Sequence, residues 1–191
     1  MADRTRALDQ LRKEIVTEDA CPDLRQGATQ LVMGAGSSDA DIIIIGEAPG
    51  KKEDELGVPF VGASGRFLDV MLDAAGMSRD DVYITNIVKY RPPNNRDPKR
   101  EEKEAFWPYL IRQIDIIDPR VIITLGRHSG MSLLPELVIA NDHGKAIRMK
   151  VGDKERIIIP LYHPAAALYN GSRRQELIDD FRAAAEARPQ S

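Results

Sequence analysis

The stretch DIIIIGEAPG (residues 41–50) runs four consecutive isoleucines into a loop built of glycine, glutamate, alanine and proline. Four β-branched residues in a row, with no alternation of polar and apolar positions, predict a strand covered on both faces, as in a parallel sheet flanked by helices. The Gly46, Pro49 and Gly50 punctuation ends that strand abruptly and leaves Glu47 at its carboxyl end.

Similar apolar runs recur outward from this one. DVYITNIV (81–88), RVIITLG (120–126) and RIIIPLYH (156–163) predict three further strands. Between them lie stretches of helical periodicity. SGRFLDVMLDAAGM starts at Ser64, expected as a serine N-cap, with Phe67, Leu68, Met71 and Leu72 on one face. A long helix is expected to open near Pro98 and a closing one near Ser172, with a hairpin around GDKE within 135–155 and a loose tail over 187–191. The expected fold is a three-layer α/β/α sandwich on a central four-stranded, largely parallel sheet, forming one domain over residues 1–191. A chain of 191 residues, 42% hydrophobic, has enough apolar material for one substantial core.

Composition narrows the functional classes. The net charge of −3 provides no global positive field, so a polyanion would have to be held by a local basic patch. The charged start MADRTRALDQLRKEIV lacks the apolar core of a signal peptide, and no run approaches 18 apolar residues. The expectation is a soluble cytoplasmic protein. One cysteine, Cys21, can form no internal disulfide and cannot alone hold zinc or an iron–sulfur cluster.

In open α/β sheets, ligands bind beyond the carboxyl ends of the strands. Those ends carry Gly46-Glu47-Ala48, Asn86, Gly126-Arg127-His128 and His163-Pro164, so a carboxylate, an amide and imidazoles converge on one edge. Singly, each has a plain alternative: Glu47 as a loop carboxylate, Asn86 as a turn residue, His163 bonded to backbone. The loop GEAPG lacks the Gly-Lys-Ser/Thr of a Walker loop and the spacing of a dinucleotide fingerprint, which argues against a nucleotide cofactor.

Taken together, these blocks resemble the uracil-DNA glycosylase superfamily, and most closely its family 4. GEAPGKKEDELGVPFVGASGRFLD (46–69) is similar to the first motif and its continuation, YITNIVKYRPPNNRDPKREE (83–102) to the segment after the second strand, and HPAAAL (163–168) to the second motif. Order and spacing agree over about residues 21–184. The resemblance implies an enzyme that flips deoxyuridine out of DNA and hydrolyses its N-glycosidic bond, leaving an abasic site for base excision repair. It assigns His163 to uracil O2, Asn86 to the O4/N3 edge and Phe60 to stacking on the base, with Gly46 and Ala48 lining the pocket. Glu47 would hold water or shape the pocket, because Ala48 stands where other branches carry a water-positioning aspartate. Asp54 and Glu53 read as a solvated charge run or as second candidates for that role.

DNA contacts are expected at Gly62, Ser64 and Gly65, which precede a helix N-terminus suited to phosphate, and at the cations Arg91, Arg96, Lys99, Arg100, Arg173 and Arg174. Leu168 would be the wedge that enters the duplex. Family 4 enzymes hold a four-iron, four-sulfur cluster through four cysteines, but the matching places here are Glu18, Cys21, Tyr90 and Phe106. The expectation is therefore no cofactor and no metal, with aromatic packing in the vacated volume. The absence of the basic, histidine-bearing insertion of covalent uracil-binding relatives implies turnover. Uracil-containing DNA is the expected partner, at the nucleoid, with the protein acting as a monomer. A non-catalytic binder of damaged DNA and a glycosylase of shifted range, such as hypoxanthine, are the alternatives.

Overall fold

The computed structural model describes residues 2–187. Residues 188–191, most of the expected tail, lie outside the described residues. The chain runs α1 (Ala2–Thr17), α2 (Pro22–Gly27), β1 (Ala35–Gly36), β2 (Ile42–Gly46), α3 (Lys51–Leu56), α4 (Ala63–Ala74), β3 (Tyr83–Asn86), α5 (Arg100–Ile117), β4 (Val121–Leu125), α6 (Arg127–Leu133), α7 (Ile139–Asp142), β5 (Ile147–Val151), β6 (Lys154–Leu161), α8 (Ala166–Tyr169) and α9 (Gly171–Glu186).

The isoleucine run is the middle of one sheet ordered β1-β3-β2-β4-β6-β5. The four expected strands, β3, β2, β4 and β6, pair in parallel, as the uniformly apolar runs predict. The sheet has six strands and not four, because β1 and β5 pair antiparallel on its two edges. β5 forms with β6 the hairpin expected around GDKE, turning at Gly152.

β2 shows why alternation is missing. Ile43 and Ile45 join the apolar cluster that contains α1, α2 and α5, through Leu11, Leu24, Phe106 and Leu110. Ile42 and Ile44 join the opposite cluster, with Phe67, Leu68 and Met71 of α4 and Leu177 and Phe181 of α9. Both faces of the strand are sealed, which gives the three-layer α/β/α arrangement. The helix starts differ slightly from expectation. Gly62 is the N-cap of α4, so Ser64 lies inside the helix, and α9 is capped by the Asn170 side chain accepting from Ser172 N. No helix among the described residues is long and apolar enough to cross a membrane.

After β2 the chain crosses to β3 on one side, and β4 later pairs on the other, so the order reverses at the carboxyl end of β2. That is where a crevice opens in such sheets. Truncating Ile44 to alanine removes buried methyl groups that both α4 and the sheet enclose. Chemical denaturation of Ile44→Ala is expected to show a loss of about 2–5 kcal/mol.

Candidate active site at the carboxyl edge of the sheet

A cavity of about 250 Å³ opens at that crevice, lined among others by Glu47, Ala48, Phe60, Ser64, Asn86 and His163. Its floor follows from the pairing of β2 with β3, in which Gly46 stands opposite Asn86. A Cβ on Gly46 would come within 2.4 Å of Asn86 Oδ1 and 2.6 Å of Phe60 Cζ. Glycine is required here because the Asn86 amide and the Phe60 ring both occupy the space above its Cα.

Phe60 is held in the left-handed region at φ 54°, an uncommon conformation for a bulky residue. Arg79 fixes it there. The guanidinium donates to the carbonyls of Pro59, Phe60 and Gly65, and is itself anchored on Asp69 at 2.6 Å. Gly65 serves the same turn, since a Cβ there would lie 1.7 Å from the Phe60 carbonyl oxygen. The Phe60 ring stacks toward His163, with centroids 6.1 Å apart and planes at 30°.

His163 lies two residues past β6. Its Nδ1 accepts from Ala165 N at 3.1 Å, which places the proton of the neutral ring on Nε2. Burial pushes its pKa below the ordinary histidine value, so the ring stays neutral at pH 7 and remains a hydrogen-bond donor.

Glu47 sits half-buried at the mouth of β2. Burial pushes its carboxyl up, opposed by His128, while Asp97 pushes it further up. Its Oε1 is buried without a hydrogen-bond partner in the protein. Ligand-type atoms of Glu47, Asp97 and His128 lie within 4.8 Å of one another, the set among the described residues closest to metal-binding geometry at this edge. Asp97 is open to solvent and approaches His128 Nε2 at 3.5 Å; of the three, Glu47 and Asp97 line the cavity.

The helix N-terminus expected to hold phosphate is already served from within the chain. Glu53 Oε1 accepts from Val61 N at 2.9 Å and Gly62 N at 3.0 Å, and Gly65 is buried against Phe60. Ser64 alone of the three lines the cavity. Asp54 is no solvated charge either: it is buried and accepts from Thr29 N at 2.9 Å.

The expected cations are similarly engaged. Arg96 binds Glu102 through both terminal nitrogens at 2.9 and 2.6 Å, and Arg173 pairs with Glu176 at 2.7 Å and lies 4.1 Å from the Tyr162 ring centroid. Arg91 donates to Asn95 at 2.7 Å. Leu168 is 44% exposed beside the His163 loop, and the neighbouring Tyr169, which the sequence reading passed over, is 90% exposed.

Of the four positions matching cluster cysteines, three carry other residues and only Cys21 is a cysteine. Cys21, Tyr90 and Phe106 are buried in one apolar cluster, with the two rings 5.9 Å apart edge to face. Glu18 is turned outward to accept from the Tyr109 hydroxyl. One thiol, pushed up by burial, two rings and an engaged carboxylate do not fit an iron–sulfur cluster.

Residues 33–186 match the uracil DNA glycosylase superfamily. The chain belongs to that superfamily. It is 46% identical to a type-4 uracil-DNA glycosylase of Sulfurisphaera tokodaii, over 92% of this chain and 82% of that protein. It is 48% identical to one of Saccharolobus solfataricus over 82% and 75%, and 43% identical to one of Archaeoglobus fulgidus over 92% and 90%.

Gly46→Ala tests the floor of the cavity most sharply. The added methyl displaces Asn86 and Phe60 together, and the expected outcome is a loss of at least about 10²-fold in turnover with the circular dichroism spectrum retained.

Proposed function

We propose that the protein is a monofunctional uracil-DNA glycosylase that receives a flipped deoxyuridine in the cavity at the β2–β3 edge. The single observation that carries the assignment of roles is the convergence of Phe60, Asn86 and His163 on one cavity whose close contacts only glycine at position 46 permits.

The chemistry follows from those groups. The base stacks on Phe60, and the Asn86 amide presents an acceptor to N3–H and a donor to O4. His163, neutral with its proton on Nε2, donates to O2. As the C1′–N1 bond breaks, positive charge builds on the sugar and negative charge on the base. The donors are aimed where that negative charge appears, and such a pre-placed donor is worth on the order of 10²–10³ in rate. Water adds its hydroxyl to C1′, and its proton ends on the departed base. The unpartnered Glu47 Oε1 is an acceptor in want of a donor, which supports Glu47 as the group that holds this water. Its position beside Ala48 leaves most of the barrier lowering to the groups around the base.

DNA would approach across the exposed edge carrying Leu168, Arg91 and Ser64, with Leu168 as the wedge. The Arg173–Glu176 pair lies at the surface and costs little to open, so Arg173 remains available to phosphate, whereas Arg96 is held by the buried Glu102 carboxylate and serves the DNA face by fixing the loop that walls the cavity. Gly62 contributes by shaping the start of α4.

Single-turnover assays on a deoxyuridine oligonucleotide test the site. His163→Ala and Asn86→Ala are each expected to lose about 10²–10³-fold in uracil release while keeping the wild-type melting curve; unchanged rates overturn the assignment.

The reading extends to the cofactor. One cysteine and a closed aromatic contact between Tyr90 and Phe106 support a protein that works without a cluster. Protein purified anaerobically is expected to be colourless, with far less than one iron per chain and full activity. Stoichiometric iron with a visible absorption band would contradict this.

A further inference from the structure

Directly behind Asn86 lies a group that the mechanism above does not use. Lys89 is fully buried, and its ammonium donates at 2.7 Å to each of three acceptors: Thr85 Oγ1, the Asn86 carbonyl and Gln113 Oε1. The surrounding bonds fix the direction of each. Thr85 spends its own proton on the Met33 carbonyl at 2.8 Å, so its oxygen accepts from Lys89. Gln113 Nε2 donates to the same carbonyl at 3.0 Å and contacts the Tyr83 hydroxyl at 3.1 Å, which leaves Oε1 toward the lysine. Three acceptors around one nitrogen call for three N–H donors, and only the protonated amine has them.

The arrangement is therefore a buried cation. The groups that face it are a hydroxyl, a backbone carbonyl and an amide from β3 and α5, with the Met33 carbonyl beyond them; none carries charge. The titratable neighbour in the network, Tyr83, is pushed up to about 12 by burial and stays neutral. A buried charge without a counter-ion is costly, and proteins ordinarily pair or neutralise it. Hydrogen bonding alone does not require a lysine here, since the same acceptors could be served by uncharged donors. On the other side of Asn86, negative charge appears on the base as the glycosidic bond breaks.

We propose that Lys89 is a positioning residue for base departure: its buried ammonium holds the Asn86 carbonyl and supplies, through Asn86, a fixed positive charge behind the base edge that is balanced only when the leaving base becomes an anion. The proposal rests on the glycosylase reading given above. No proton is transferred from Lys89; the bond broken is C1′–N1, the electron pair goes to the base, and the lysine stabilises that pair from a distance.

Two properties separate this role from a merely structural one. The first is sensitivity to the leaving group. 5-Fluorouracil leaves as a more stable anion than uracil and has less need of an external positive charge. The second is pH. Burial lowers the ammonium to about 7, so the cation is present below that value and is lost as the pH rises through it. The free-enzyme kcat/KM should then fall above about pH 7.

The experiment compares wild type with Lys89→Met, which retains the apolar length of the chain, on single-stranded oligonucleotides containing deoxyuridine or 5-fluorodeoxyuridine under single-turnover conditions. The expected deficit is about 10- to 100-fold for uracil, several-fold smaller for 5-fluorouracil, with the fall in kcat/KM above pH 7 absent in the variant. Equal deficits on both bases, or none, overturn the proposal. Should Lys89→Met not fold, Thr85→Val removes one acceptor from the ammonium and is expected to move the alkaline fall to lower pH; an unmoved fall overturns the proposal equally. Wild-type protein that releases neither base overturns the glycosylase reading itself, an outcome distinguishable because it involves no Lys89 variant.

Discussion

The parallel pairing of β2 with β3, with Gly46 facing Asn86 at the last rung, is the constraint on which the rest of the site depends. It fixes Asn86 in register with the end of the isoleucine strand. It also opens, by the absence of one side chain, the space into which the Phe60 ring and the Asn86 amide both fit. The pairing then continues past the strand through Ile87 N and Val88 N, which donate to the carbonyls of Gly46 and Glu47 at 2.9 and 3.1 Å. That extension carries the chain round to Lys89 and places Glu47 at the cavity mouth. Burying the isoleucines on both sides of the sheet makes this frame rigid, so the functional groups stand on a strand end that packing does not allow to move.

Much of this was legible in the sequence, for a physical reason. Uninterrupted β-branched runs have few alternatives to a doubly covered parallel strand, and ligand sites of such sheets lie at their carboxyl ends, so Glu47, Asn86 and His163 could be brought together before any coordinates were known. The edges were harder to read. β1 is two residues long, Ala35 and Gly36, and has no periodicity at all; β5, IRMKV, is half-exposed and weakly patterned, and only the turn at GDKE marked it as one arm of a hairpin. Helix α3 was missed because KKEDEL is dominated by charge, and two of those charges turned out to be structural acceptors of distant amides. The support of Phe60 by Arg79, and of Asn86 by Lys89, joins residues whose meeting depends on the tertiary fold. An isolated arginine in MSRDD, or a lysine in VKYRPP, carries no local signal of that kind.

Three of the positions that match the cluster cysteines of family 4 are held together by packing. A cluster held by cysteines at all four places would staple α2, the loop after β3 and α5 by thiolate bonds. Here Cys21, Tyr90 and Phe106 come from those same three segments and meet in one buried apolar cluster. Edge-to-face aromatic contact and area burial then supply the cohesion between them. Nearby, Arg96 and Glu102 join the loop after β3 to the first turn of α5; the guanidinium holds the Glu102 carboxyl below its ordinary range, so the pair persists at neutral pH. The loop that walls the cavity over 95–98 is thereby tied to α5 on one side while it faces the base site on the other.

In the proposed reading, a pocket of fixed donors, set by one glycine and backed by buried side chains, is the seat of the chemistry. A crystal structure of the protein soaked with free uracil tests that claim most directly. The expected result is one uracil in the cavity at the β2–β3 edge, its ring stacked on Phe60, its N3/O4 edge on the Asn86 amide and its O2 at His163 Nε2. Uracil bound elsewhere with this cavity empty, or seated there with Asn86 and His163 turned away from it, would contradict it.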